Sequence, residues 1–132
     1  MVSVFIECAP MGAVRQSSSD GWKQRPVVMR YRAYKDEIRK QILLKAGAEG
    51  AEELSKCTMF TLSFYLPFPK SYNKKKKMLL EKTGHNEKPD IDNLIKAIFD
   101  TICKDDKHIK HVTASKYWQS RNSVAGVEIC GS

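Results

Sequence analysis

The sequence predicts an α+β fold: one small domain spanning residues 1–132, in which a mixed β-sheet of about four strands is flanked by helices. Three observations predict it. A chain of 132 residues with 42% hydrophobic residues has the usual size of one domain and can fill one modest core. Four segments alternate apolar and polar residues, as half-buried strands do. Two others repeat their apolar residues at helical spacing.

The first third of the chain predicts a strand, a loop and a helix. Residues 2–8 alternate apolar and polar side chains and predict the first strand. Residues 11–30 are rich in Ser, Gly and Arg without any periodicity, which predicts a basic loop. In residues 31–46 the apolar side chains recur at helical spacing, so we expect an amphipathic helix that ends at Gly47 or Gly50.

The middle of the chain predicts a strand followed by a lysine-rich helix. Residues 60–66 are the clearest strand, since apolar and polar residues alternate until prolines follow. A short helix is expected over residues 71–80, with Ser71 as its cap. Four consecutive lysines, 74–77, lie on this helix. Because like charges at adjacent turns repel each other, this run either frays in solvent or binds phosphates.

The last third predicts a helix and then two paired strands. In residues 90–103 four isoleucines fall at steps of four, three and four, which is helical spacing. Residues 111–119 and 124–130 alternate as strands. The turn residues at 121–123 predict that these two strands pair as a hairpin.

The charge balance indicates a polyanionic partner. Lys and Arg number 23 against 15 Asp and Glu, so the formal net charge is +8. The alternative is that this charge only keeps the protein soluble. No apolar run approaches the ~18 residues of a membrane span, so we expect a cytoplasmic protein. The side chains expected to bind DNA phosphates are Arg15, Lys23, Arg25, Arg30, Lys74, Lys75, Lys76 and Lys77.

An acidic cluster stands out in this basic chain. Asp92 and Asp100 share one face of the predicted helix with Lys96, and Asp90 lies at its N-terminal edge, where exposed amides favour negative charge. Two more acids follow the helix, and a short reversal of the chain could bring one of them back toward the first two. Five of the seven aspartates thus lie within 17 residues: Asp90, Asp92, Asp100, Asp105 and Asp106.

Such a cluster suits a metal ion. Carboxylates forced together repel each other unless a cation neutralises them, and a hard cation with oxygen ligands is the natural solution. Mg²⁺ binds few carboxylates together with water and phosphate, which fits a set of aspartates without histidine. Alternatively, each acid has an ordinary structural role: Asp90 or Asp92 caps the helix, Asp92 pairs with Lys96 in solvent, and residues 105–106 form a solvated turn.

The residues KPDIDNLIKAIFD, 88–100, followed by DDKHI, 105–109, resemble the signature of the RusA family of Holliday junction resolvases, which is common in bacteria and their phages. The rest of the chain is similar in layout, with an opening strand, an Arg-bearing loop, a helix, a strand and a Lys-rich approach to the motif. The resemblance implies a RusA-like fold, an intertwined homodimer, and a bacterial or phage-encoded protein that acts on branched DNA.

The resemblance also implies roles for individual residues. The family's metal-binding aspartates correspond to Asp90, Asp92 and Asp106, with Asp105 as the alternative ligand. The family's active-site lysine corresponds to Lys96. Supporting roles are implied for two further residues of the motif, Asn93 and Asp100. The segment between the helix and the acid pair is shorter than in the family's usual pattern, so the choice between the two acids stays open.

We therefore expect a Mg²⁺-dependent, structure-selective endonuclease that resolves four-way junctions by paired nicks in DNA recombination and repair, with Mn²⁺ as a substitute metal. The metal would activate a water and stabilise charge on the scissile phosphate, and Lys96 would offset charge in the transition state. The alternatives are a nuclease for flaps or forks, a junction-binding module without catalysis, and, from charge alone, a structural or RNA-binding accessory protein.

Overall fold

The computed structural model describes residues 1–15, 25–120 and 123–132. Lys23 and two residues of the predicted turn, Arg121 and Asn122, lie outside these ranges. Within these ranges, no helix combines the length and the apolar character that a membrane span requires. Along the described chain the elements are β1 Val2–Ile6, α1 Pro26–Lys56, β2 Met59–Leu66, α2 Lys74–Leu80, α3 Ile91–Ile102, β3 His111–Trp118 and β4 Gly126–Gly131.

The strands form one mixed sheet in the order β1-β4-β2-β3, which confirms the predicted α+β class. β4 is antiparallel to both β1 and β2, whereas β3 runs parallel to β2. The predicted hairpin of the last two strands is therefore wrong, because β2 lies between them. A parallel pair needs a long crossover, and the segment with α2 and α3 provides it between β2 and β3.

The core lies between one face of this sheet and the helices α1 and α3. Ile98 on α3 is fully buried, but the other three isoleucines of the predicted stripe are only half-buried. The helix turns Leu94 and Ala97 toward the sheet instead, and the ring of Phe99 packs against that of Phe60 with 5.1 Å between centroids. β2 contributes alternate buried side chains, as its pattern predicts: Phe60, Leu62, Phe64 and Leu66.

Helix α1 is longer than predicted at both ends. It begins at Pro26, where the missing N–H costs nothing, so Arg30 lies in the helix and the prediction that places it in a loop is wrong. Gly47 interrupts the helix with φ 74°, a conformation that glycine adopts without a Cβ clash. Helical backbone then resumes and continues to Lys56, since residues 48–56 are rich in the helix formers Ala and Glu.

Three strands end at the same edge of the sheet. Since β4 is antiparallel to its two neighbours, β1, β2 and β3 all run in one direction and end there at Ile6, Leu66 and Trp118. We call this the carboxyl edge. Lys116, near the end of β3, binds the main-chain oxygen of Pro89, and this contact places the start of α3 at the same edge.

Candidate active site at the carboxyl edge

An open groove of about 500 Å³ lies beside the N-terminus of α3. One wall is the chain that leaves β1, and the other is the chain that enters α3. The two walls are joined by a hydrogen bond of 3.0 Å from the main-chain N–H of Ala13 to the carbonyl oxygen of Asn93. The groove is lined by Pro10, Met11, Gly12, Lys88, Pro89, Asp90 and Asn93.

Asp90 lines this groove, and Asp92 lies two residues further on; both carboxylates are exposed. Asp90 occupies the N-cap position of α3, yet its side chain accepts no capping hydrogen bond. Asp92 lies in the first turn, and its Oδ1 accepts the main-chain N–H of Asn93 at 2.9 Å. The alternative that Asp90 caps the helix is therefore wrong for this structure. Both carboxylates lie where the helix amides favour negative charge.

Lys96 pairs with Asp100 rather than with Asp92. Its Nζ lies 3.4 Å from Oδ2 of Asp100, one turn further along α3. The hydroxyl of Tyr31, on α1, donates to the same oxygen at 3.4 Å. Burial, and then the negative charge of Asp100, raise the pKa of Tyr31 to about 12, so the hydroxyl stays protonated and remains a donor. Asp100 thus links α3 to α1 and holds Lys96 on the exposed face that carries Asp92.

Asp105 and Asp106 lie in the turn between α3 and β3. Oδ1 of Asp105 accepts the main-chain N–H of Lys107 at 3.0 Å, and Oδ2 lies 3.4 Å from the Lys107 ammonium. The carbonyl oxygen of Asp106 accepts the N–H of Ile109 at 3.0 Å. Burial, and then the charge of Asp106, raise the pKa of Cys103, which is the C-cap residue of α3.

The first and last members of the acidic cluster lie at opposite ends of α3. Its 12 residues correspond to about 18 Å at 1.5 Å per residue. Mg²⁺ binds oxygen at about 2.1 Å, so its ligands must converge far more closely than that. Among the described residues, no three His, Cys, Asp or Glu side chains are grouped to hold a metal ion. The chain reversal needed to bring Asp106 back to Asp90 does not occur within one described chain.

Most of the predicted DNA contacts that the structure describes are exposed near the carboxyl edge. Arg15 ends the first described segment, and the guanidinium of Arg25 donates to its carbonyl oxygen at 3.1 Å. α2 follows β2 from this edge, and none of its residues is buried. Asn73 rather than the predicted Ser71 caps α2, through a bond of 2.8 Å to the N–H of Lys76. The four lysines of α2 therefore form a solvated basic surface.

One residue beside the groove escapes the sequence patterns. Lys116 lies on β3, and its ammonium donates to the carbonyl oxygens of Glu87 and, at 2.8 Å, Pro89. The sequence does hold a signal for it. Side chains alternate between the two faces of a strand, so Lys116 lies on the same face of β3 as Val112, Ala114 and Trp118, which point toward the helices. A charged residue therefore interrupts the core-facing side of this strand.

The fold and the site are those of a small, basic α+β domain suited to a polyanionic partner. The chain belongs to the RusA family of endodeoxyribonucleases, because the family model described as Endodeoxyribonuclease RusA matches residues 7–130. The family expected from the motif is thereby confirmed, and membership implies the nuclease activity of a Holliday junction resolvase. Neither the curated proteins nor the solved structures contain a match to this chain.

Proposed function

We propose that this protein is a Mg²⁺-dependent, structure-selective endonuclease that resolves four-way DNA junctions by paired nicks in recombination and repair. The observation that carries the proposal is the pair Asp90 and Asp92. Both are exposed at the N-terminus of α3, and the first makes no capping bond in a position where capping is common. Asp92 uses one oxygen to accept the N–H of Asn93, so oxygens of both exposed carboxylates remain available to a cation that also binds phosphate in this chain of net charge +8.

The donor set fits Mg²⁺, and Mn²⁺ should substitute for it. Asp90 offers hard carboxylate oxygens at an open groove and Asp92 offers them from the first turn of α3, where waters and a phosphate oxygen can complete an octahedron. When bound, the metal would supply a water of lowered pKa and stabilise charge on the phosphate. Lys96, exposed on the face that carries Asp92, would offset charge on the oxygens of the scissile phosphate.

A homodimer would complete this metal site. Asp106 lies about one helix length, some 18 Å, from Asp90 in the same chain. In a twofold dimer both copies use the same surface, and each contact between two different residues occurs twice. The N-terminal end of α3 can therefore lie near the C-terminal end of the partner's α3. Asp106 of a second copy would then join Asp90 and Asp92 of the first, with Asp105 as the alternative ligand. Two such sites also match the two nicks that a four-way junction requires.

The basic groups would bind the DNA backbone. Arg15, Arg25 and the lysines of α2 lie near the edge that carries the acids, and Arg30 adds a positive charge at the start of α1. Contacts of this kind bind phosphates without reading bases, so binding should depend strongly on salt and selectivity should come from the shape of the branch.

The substitution Asp92→Asn tests the proposal. The change keeps the size of the side chain but removes its charge. Loss of an outer-shell partner already costs a metal site about 10–100-fold, so we expect at least about a hundredfold loss of Mg²⁺-dependent nicking of a synthetic four-way junction. Junction binding should stay intact or tighten, because a charge that repels phosphate is gone. The matched control is Asp36→Asn, an exposed acid on α1 that pairs with Arg39.

Two other functions would appear as distinct outcomes. A junction-binding module without catalysis is favoured by the separation of Asp90 and Asp106 within one chain, and it would bind junctions but cut none in Mg²⁺ or Mn²⁺. A nuclease for flaps or forks would cut those substrates in preference to four-way junctions. Cleavage of four-way, three-way and linear DNA side by side, with and without Mg²⁺, separates these possibilities.

A further inference from the structure

The segment that delivers Asp90 to the groove is tied to the outer edge of β3. From Lys82 to His85 the ties are main-chain bonds of 3.0 Å: Lys82 donates to Trp118, Trp118 donates to Thr83, and His85 donates to Lys116. The ring of His85 is buried against that of Trp118, with 4.3 Å between centroids. Residues 82–85 therefore pair with β3 like a short extra strand, and their main-chain hydrogen bonds and the buried His85 ring hold them there.

The next four residues, 86–89, are held differently. In the described parts of the chain, the hydrogen bonds that tie them to another element come from the ammonium of Lys116, which donates to the oxygens of Glu87 and Pro89. Pro89 immediately precedes Asp90, so the second bond fixes the peptide from which the Asp90 backbone starts. The Lys116 side chain therefore ties the peptide that precedes Asp90 to the sheet, whereas the bond from the N–H of Leu94 to the Asp90 oxygen holds Asp90 to the helix that follows.

We propose that Lys116 is a positioning residue for the metal site, acting through the 86–89 segment on Asp90. This inference rests on the proposed function of Asp90. An ammonium suits the task because it carries up to three donors and no acceptor, so it can bind two carbonyl oxygens at once. The strand holds its Cα rigidly, whereas the segment has few bonds of its own. Residues that orient a metal ligand without touching the metal typically contribute about 10–100-fold to metal affinity.

The test compares Lys116→Met with Lys45→Met in the full-length protein. Met keeps the length of the side chain and removes the donors. Lys45 is the matched control because its ammonium also binds a main-chain oxygen of another element, that of Phe5 on β1, at the far side of the sheet from β3. The readouts are Mn²⁺ affinity by calorimetry without DNA, and amide hydrogen exchange of residues 86–92 without metal.

For Lys116→Met we expect about 10–100-fold weaker Mn²⁺ binding and faster exchange at residues 86–92, with little change in either for Lys45→Met. Lys116→Arg should recover part of the affinity, because a guanidinium also donates to carbonyl oxygens. Unchanged exchange and unchanged Mn²⁺ affinity in Lys116→Met, with weaker junction binding, would overturn the inference in favour of a direct phosphate contact. Equal effects of the Lys116 and Lys45 changes would reduce Lys116 to a general structural role. Wild-type protein that binds no Mn²⁺ would overturn the proposed function instead, and the exchange data would still decide whether Lys116 holds this segment.

Discussion

Mixing two inactive variants should restore cleavage if each metal site combines Asp90 and Asp92 of one copy with Asp106 of another. The variants are Asp92→Asn and Asp106→Asn. In a mixed dimer both substitutions fall in the same composite site, and the other site keeps all three acids. If every site used acids of one chain alone, each site of the mixed dimer would carry one substitution and none would be intact.

The size of the effect follows from the geometry and from counting. The two acids are separated by a helix of 12 residues, or about 18 Å, which one ion with ligands at about 2.1 Å cannot bridge within a chain. With free exchange of subunits, half of the dimers are mixed and each contains one intact site. About a quarter of the wild-type number of sites should therefore be restored in a twofold dimer.

The assay is Mg²⁺-dependent nicking of a labelled four-way junction after the two proteins have exchanged subunits. A mixture of Asp90→Asn and Asp92→Asn is the matched control, because those substitutions fall in different composite sites and leave neither intact. Nicking that stays absent when Asp92→Asn and Asp106→Asn are mixed, while each dimer still binds the junction, would refute the composite site. Full activity of Asp106→Asn by itself would show that this acid is not a ligand, and Asp105→Asn would then replace it in the mixture.

Two further predictions concern the basic surface and the link between α1 and α3. Replacing Lys74–Lys77 by Ala should reduce the magnitude of the slope of log K for DNA binding against log salt by about 0.9 for each lysine that neutralises a phosphate. The control Lys56→Ala, at the opposite end of the sheet, should leave this slope unchanged. Equal slopes for wild type and the lysine variant, in titrations from low to high salt, would show that DNA binds elsewhere. Because the pKa of Tyr31 is raised from 10.0 to about 12, its contribution to the free energy of unfolding is present below pH ~10 and lost as the pH rises through ~12. The free energy of unfolding of Tyr31→Phe, measured in urea, should therefore fall less between pH 9 and 12 than that of wild type. Identical losses would show that Tyr31 does not contribute to this pH dependence.

Local patterns in the sequence predict most of the elements but not how the strands are ordered. β1, β2 and α3 lie close to their predicted bounds, because a strand or helix that is buried on one face carries that face as a period of two or 3.6 residues. The prediction that β3 and β4 form a hairpin was wrong because it assumed that strands adjacent in the sequence also pair in the sheet. Both strands instead pair with β2, whose buried residues make it the centre of the sheet.

The motif locates the acidic residues, and the tertiary structure decides which of them can meet. The sequence by itself determined that Asp90 and Asp92 open an amphipathic helix in a basic chain, and that this helix belongs to the RusA signature. Only the fold shows that the helix starts at the carboxyl edge with Asp106 beyond its far end, and that the Lys116 side chain binds the segment before Asp90. Period and composition are local properties that a sequence records directly. Distances between residues far apart in the chain depend on how the elements pack, which no short segment specifies.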